Sequence, residues 1–206
     1  MSISPAKRPD PYLEIYAHPT EGASNDRLFE LAHHRDWVKR NVVDLPISSR
    51  LFTEESIRDN TLEVYIAEKE DFPRLQSVKF HGSGRFVFRD CAWKTLPGWQ
   101  GGFYPQAMES VLLKTVGFGQ RYFKDCLGYA DKTFFRVEIG GVVGCERRVQ
   151  NAGIRPLRRF TFDREIVAGQ HFNAGSGNSE DLTAKFYDEI MIQSELDPAV
   201  WGYGKG

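Results

Sequence analysis

The chain has no stretch approaching the roughly 18 consecutive apolar residues that a membrane-spanning helix requires, because charge interrupts its most apolar runs every few positions. Cysteine is scarce as well: Cys91, Cys126 and Cys145 are odd in number and far apart, and no apolar leader precedes them. The simplest expectation is reduced thiols in a protein of the cytosol, or of a particle assembled there, with no membrane partner. Net charge is nearly absent too. With 27 basic and 28 acidic side chains the formal charge is -1, so no global field draws the molecule to nucleic acid or to an anionic surface, and any such affinity must be local. The catalytic signatures with a clear mechanism are missing: there is no phosphate-cradling G-x-x-x-x-G-K-[ST], no H-E-x-x-H, no G-x-S-x-G and no C-x-x-C. Their absence turns the expectation away from an enzyme, and neither a cofactor nor a metal is implied.

What is present describes one folded unit. A length of 206 residues suits a single large domain, and 41% apolar with 27% charged residues is ordinary globular composition. Residues 1–11 carry Pro5, Pro9 and Pro11 beside Lys7 and Arg8, which predicts an extended arm. Residues 201–206 form a glycine-rich tail. Ordering either costs about 1–2 kcal/mol per residue, so both are expected to lie against another chain.

Between them, alternation predicts strands at 12–17, 62–66, 85–89 and 133–139. Gly140-Gly141 reads as the turn of a hairpin into a strand at 142–149. Further strands are expected through Phe160, Phe162 and Ile166 and at 186–195, separated by a flexible loop at 174–179. Leu28, Leu31, Ala32 and Val38 fall on one helical stripe. A second helix is expected to begin at Pro105 and to end near Gly117, with Met108, Val111 and Leu112 inward. Thr53-Glu54-Glu55-Ser56 reads as the cap of one helical turn. The predicted fold class is α+β, mainly antiparallel β in a sandwich or partial barrel, with about two α-helices. The expected core comprises Leu28, Leu31, Val64, Ile66, Phe86, Phe88, Val111, Leu112, Val137, Ile139, Phe160 and Phe162.

Two tracts stand out as binding elements. Trp93, Trp99, Phe103 and Tyr104 sit on a Pro/Gly-rich loop, and rigid amphipathic rings on such a loop suit a protein interface or a lid over the sheet. Residues 147–164 hold six arginines and one acidic residue, a net of +5, of which Arg147, Arg148, Arg155, Arg158 and Arg159 are the candidate ligands for phosphate or an acidic partner. Residues 165–206, with seven acidic and two basic side chains, net -5, offer an internal or intersubunit counterpart. His81-Gly82-Ser83-Gly84 places an imidazole near a hydroxyl, but sequence neighbours seldom have catalytic geometry, and as a turn between the strands around Phe80 and Phe86 it needs no chemistry. His33, His34, His171 and the cysteines match no compact metal-ligand spacing. Gly117-Phe118-Gly119 and Gly140-Gly141-x-x-Gly144 do not open a helix after a strand as a dinucleotide fingerprint must.

These readings favour a non-catalytic structural or assembly subunit of a larger complex, such as a phage or virus-like particle, with other protein subunits, a homo-oligomer included, as partners. A nucleic-acid-binding component of a ribonucleoprotein, acting through 147–164, is the first alternative. A small hydrolase-like enzyme with a site assembled near His81 is the second.

Overall fold

The computed structural model describes residues 11–20, 31–45, 53–66, 76–91, 102–103, 108–147 and 160–196, with backbone alone at 31–34, 43, 53–55, 66, 102–103, 146–147 and 160. A seven-stranded, open antiparallel sheet organises them. In chain order its strands are β1 (Tyr12–Pro19), β2 (Thr53–Arg58), β3 (Thr61–Ile66), β4 (Gln76–His81), β5 (Phe86–Asp90), β7 (Lys132–Gly140) and β10 (Ile166–Asn173). Their spatial order is β10-β7-β1-β5-β4-β3-β2. Short strands β6 (Gly102–Phe103), β8 (Glu146–Arg147) and β9 (Phe160–Thr161) form a second, three-stranded sheet. Three helices, α1 (Leu31–Asn41), α2 (Met108–Arg121) and α3 (Ser179–Gln193), supply the second layer of an α+β, mainly β fold.

Alternation dictates which face of the sheet meets the helices. In β1, Leu13, Ile15 and Ala17 are buried while Tyr12, Glu14, Tyr16 and His18 point to the other side. Thr133, Phe135, Val137 and Ile139 repeat the pattern in β7, and Phe86 and Phe88 in β5. At the centre of the core Phe80, Phe86, Phe118 and Tyr122 form a ring cluster with centroids 4.9–6.1 Å apart, joined by Trp37 of α1. Burying each such ring stabilises the fold by about 1.5–3 kcal/mol. The helix layer approaches closely at Gly119, where a Cβ would come within 3.0 Å of the Phe135 ring.

Several sequence expectations need correction. Residues 53–56 do not start a helical turn but open β2, whose pairing with β3 outweighs the local capping pattern. The β2–β3 connection is a two-residue hairpin at Asp59 and Asn60, both with positive φ (48° and 55°), as a type I′ turn requires. α2 does not end near Gly117: it continues to Arg121 and then widens into a π-helical turn, Tyr122–Cys126, which buries Tyr122, Phe123 and Cys126. Gly140-Gly141 turns the chain, with φ 68° at Gly141, but makes no hairpin. Both flanks of β7 are already occupied by β1 and β10, so the chain leaves the sheet instead. Residues 186–195 are not a strand. Through Gln193 they belong to α3, whose buried Leu182, Thr183, Phe186, Tyr187, Ile190 and Met191 follow helical spacing and whose N-cap Asn178 accepts from the Glu180 N–H at 3.0 Å. The helices therefore number three among the described residues.

Of the expected core, Val64, Phe86, Phe88, Leu112, Val137, Ile139 and Phe162 are buried, and Val111 is partly so. Leu28 and the side chains of Leu31, Ile66 and Phe160 lie outside the described residues. So do the arm, apart from a buried Pro11, and the tail. None of the three cysteines is in a disulfide. No helix among the described residues is long and apolar enough to cross a membrane.

Candidate functional site: the open face of the sheet

α1, α2 and α3 pack on one face of the sheet, leaving the alternate side chains of β5, β1, β7 and β10 half-buried or exposed on the other. Two bands cross that open face. The first begins on β4, where His81 Nε2 accepts from Arg85 Nη2 at 3.0 Å. Because a guanidinium has no acceptor, the remaining proton of the neutral ring sits on Nδ1, which faces Thr61 Oγ1 at 2.8 Å. The Arg85 guanidinium lies 5.5 Å from the Tyr16 ring centroid. From there ring follows ring, with Tyr16 to His18 at 5.3 Å, His18 to Phe134 at 5.6 Å and Phe134 to His171 at 5.2 Å. Lys132 shares the Phe134 side of β7 and is exposed. From β4 to β10 the band spans four strand spacings, about 19 Å.

The second band lies one row further along and is ionic. Glu14 and Glu138 are direct partners across β1 and β7, an arrangement that repels unless cations intervene. They do intervene. Arg89 reaches Glu14 at 3.7 Å, Arg136 reaches Glu138 at 2.5 Å, and the Tyr12 hydroxyl donates to Glu138 Oε1 at 2.7 Å. Burial, followed by this bond to Glu138, pushes the Tyr12 hydroxyl up to about 12. Between the bands lies a depression of about 190 Å³, with Tyr16 and Phe134 on one side and Glu14, Arg136 and Glu138 on the other. It is smaller than a typical ligand cavity of about 300–1,000 Å³ and fits one ring or one side chain.

The geometry suits recognition better than proton transfer. Both carboxylates are already tied to cations, and both His81 nitrogens are engaged away from Ser83, which is exposed in the turn. Burial, then the charges of Arg85 and Lys79, lower the His81 pKa from its ordinary value. Among the described residues no group of three or more His, Cys, Asp or Glu side chains gathers to hold a metal ion.

Trp93, Trp99, Tyr104, Arg148, Arg155, Arg158 and Arg159 lie outside the described residues. Phe103 and Arg147 are described by backbone alone, and there the fold brings the two tracts together: Phe103 pairs with Arg147 in the parallel β6–β8 ladder, and Arg147 with Phe160 in β8–β9. The open face escaped notice in the sequence. Its signal was the polar half of the same alternations that identified the strands, namely Tyr12, Glu14, Tyr16 and His18 against Phe134, Arg136 and Glu138. No family model matches the chain, and no curated protein or solved structure matches it either.

Proposed function

We propose that this chain is a non-catalytic binding subunit of a larger assembly and that it docks through the open face of its seven-stranded sheet. The supporting observation is the pre-organisation of that face. Tyr16, His18, Phe134 and His171 follow one another in ring contact, the first pair edge-on and the next two tilted, while Arg89, Arg136 and Tyr12 fix Glu14 and Glu138. Side chains so restrained lose little further freedom on binding, and Tyr and Arg are the residues that interface centres favour. The aromatic tract of Trp93, Trp99, Phe103 and Tyr104 and the arginines of 147–164 extend the reading to further contacts with protein subunits. A phage or virus-like particle is one setting that it fits.

Native mass measurement of the full chain, alone and from its source, tests the proposal. A complex is expected that Tyr16→Ala with Phe134→Ala dissociates while circular dichroism stays unchanged. A wild-type chain that remains monomeric in its native source, or a complex indifferent to both substitutions, would overturn it.

A further inference from the structure

We infer that the occupant of the open face is a single strand of nucleic acid, laid across the strands along the band that runs from His81 to His171. The inference rests on the proposed docking role of this face and names its partner.

Charge selects an anion. Arg85 has no carboxylate partner among the described residues, and its Nε is buried without a hydrogen bond. Lys132 is exposed with no ion pair among those residues. Two imidazoles, His18 and His171, add donors, and His18 Nδ1 is already committed to the Pro19 carbonyl at 2.7 Å, which leaves its Nε2 for a ligand. No carboxylate occupies a strand position within the band. An acidic protein segment would satisfy the charge but not the rings. Tyr16 and Phe134 line the depression, and base stacking on such rings tolerates any sequence because every base has a π-face. The repeat of cation and ring matches an alternation of phosphate and base.

The ionic band fixes the path. Glu14 and Glu138 would repel phosphates led along the strands, so the polymer runs transverse to β1 and β7, on the side of His18 and Lys132. A span of about 19 Å holds about three nucleotides, the number of bases that a four-stranded sheet with stacking rings accommodates in other single-strand readers. Duplex nucleic acid, with its bases stacked inward, gains nothing from Tyr16 and Phe134. The local charge is modest, which predicts weak binding that depends steeply on salt.

The test is fluorescence anisotropy of labelled short oligothymidylate and oligouridylate with the full-length protein, at low salt and through a salt series. Saturable binding is expected, weakened about ten-fold by Tyr16→Ala or by Phe134→Ala, in keeping with one lost stacking contact. Arg85→Gln and Lys132→Gln should each reduce the salt slope by about 0.7, the value for one single-strand phosphate contact. Lys185→Gln, an exposed change on α3 and so on the helix-covered side of the sheet, should bind as well as wild type. Lys132→Gln is a surface change that cannot unfold the protein, so the inference stays testable if Arg85→Gln or a ring deletion does. Absence of saturable binding at low salt overturns it, as does binding that heparin matches and Tyr16→Ala leaves unchanged, since a mere polyanion site would behave that way. If oligonucleotides do not bind but Tyr16→Ala with Phe134→Ala still dissolves the native complex, the face docks a protein and only the nucleic acid is wrong. If neither effect appears, the docking role falls too.

Discussion

The ring of Tyr12 lies over Gly140, its direct partner across β1 and β7, so closely that a Cβ at residue 140 would collide with it. The Arg89 guanidinium covers the same ring at 4.1 Å, and the hydroxyl ends on Glu138. Gly140→Ala should therefore expel Tyr12 from its seat, at a cost of about 1–3 kcal/mol for overpacking. Urea denaturation would read the loss. Ultraviolet titration would show the Tyr12 hydroxyl falling from about 12 toward an ordinary tyrosine in the same variant. In wild type the sign is set by the raised value: the unfolded chain ionises near pH 10 while the folded one holds its proton, so stability declines as pH rises through 10 to 12.

Cys126 closes the π-helical turn, where burial pushes its thiol up to about 12. The thiolate is the reactive form, and little of it exists at neutral pH. Alkylation of the native protein should label Cys91 and Cys145, which are half-buried, long before Cys126. Mass spectrometry after a timed pulse would check the order, with Cys126 modified only once denaturant is added.

Strands with a clean two-residue period were legible from residues alone, as β1, β3, β5 and β7 show, because one buried face imposes that period. α3 is not legible from Phe186 onward, inside the helix, where Ile190, Met191 and Ile192 form an apolar run. The Asn178 cap and the Leu182, Phe186, Ile190 stripe carry the opposite signal. β2 carries a local capping pattern that long-range pairing overrides, and Gly140-Gly141 carries hairpin residues at a place where β1 and β10 leave β7 no free flank. The open-face band was invisible for a further reason: His81, Tyr16, Phe134 and His171 are brought together only by the strand order, which alternation does not encode.

His81 offers a pH-dependent check on the first band. Its imidazole accepts from Arg85 while neutral, and protonation would set two cations against each other, with Lys79 adding a third. A base whose folded pKa is depressed contributes stability above its unfolded value, near 6.5, and loses it as pH falls toward the folded value. Thermal unfolding from pH 7.5 to 5 should show that decline, and His81→Gln should flatten it while leaving the melting temperature at pH 7.5 nearly unchanged.

The two faces of β5 should respond differently to truncation. Phe86 is fully buried in the ring cluster, so Phe86→Ala should cost about 3–5 kcal/mol, enough to unfold a marginal domain. Val87, one residue on and half-buried on the open face, should cost about 1 kcal/mol or less as alanine. Equal losses in chemical denaturation would mean that the open face is packed as tightly as the core.

Gln193 guards one edge of the sheet. β10 is an outermost strand, and unpaired edge amides invite another strand to add. At Val167 the N–H donates to Gln193 Oε1 at 3.1 Å and the carbonyl accepts from Gln193 Nε2 at 2.8 Å, so one side-chain amide from α3 stands in for a rung of the missing strand. Glu189, one turn earlier, accepts from the same nitrogen at 2.9 Å and holds the amide in place. Water can replace these bonds at an exposed site, so Gln193→Ala should cost only about 1 kcal/mol in stability. Its larger effect should be on association, since Val167 and Ile192 are both exposed beside the opened edge. Static light scattering of the variant at rising concentration should show growth that wild type lacks, and Gln193→Asn, too short to reach both atoms, should behave like alanine. A variant as monodisperse as the wild type would mean that Val167 is protected by something other than Gln193.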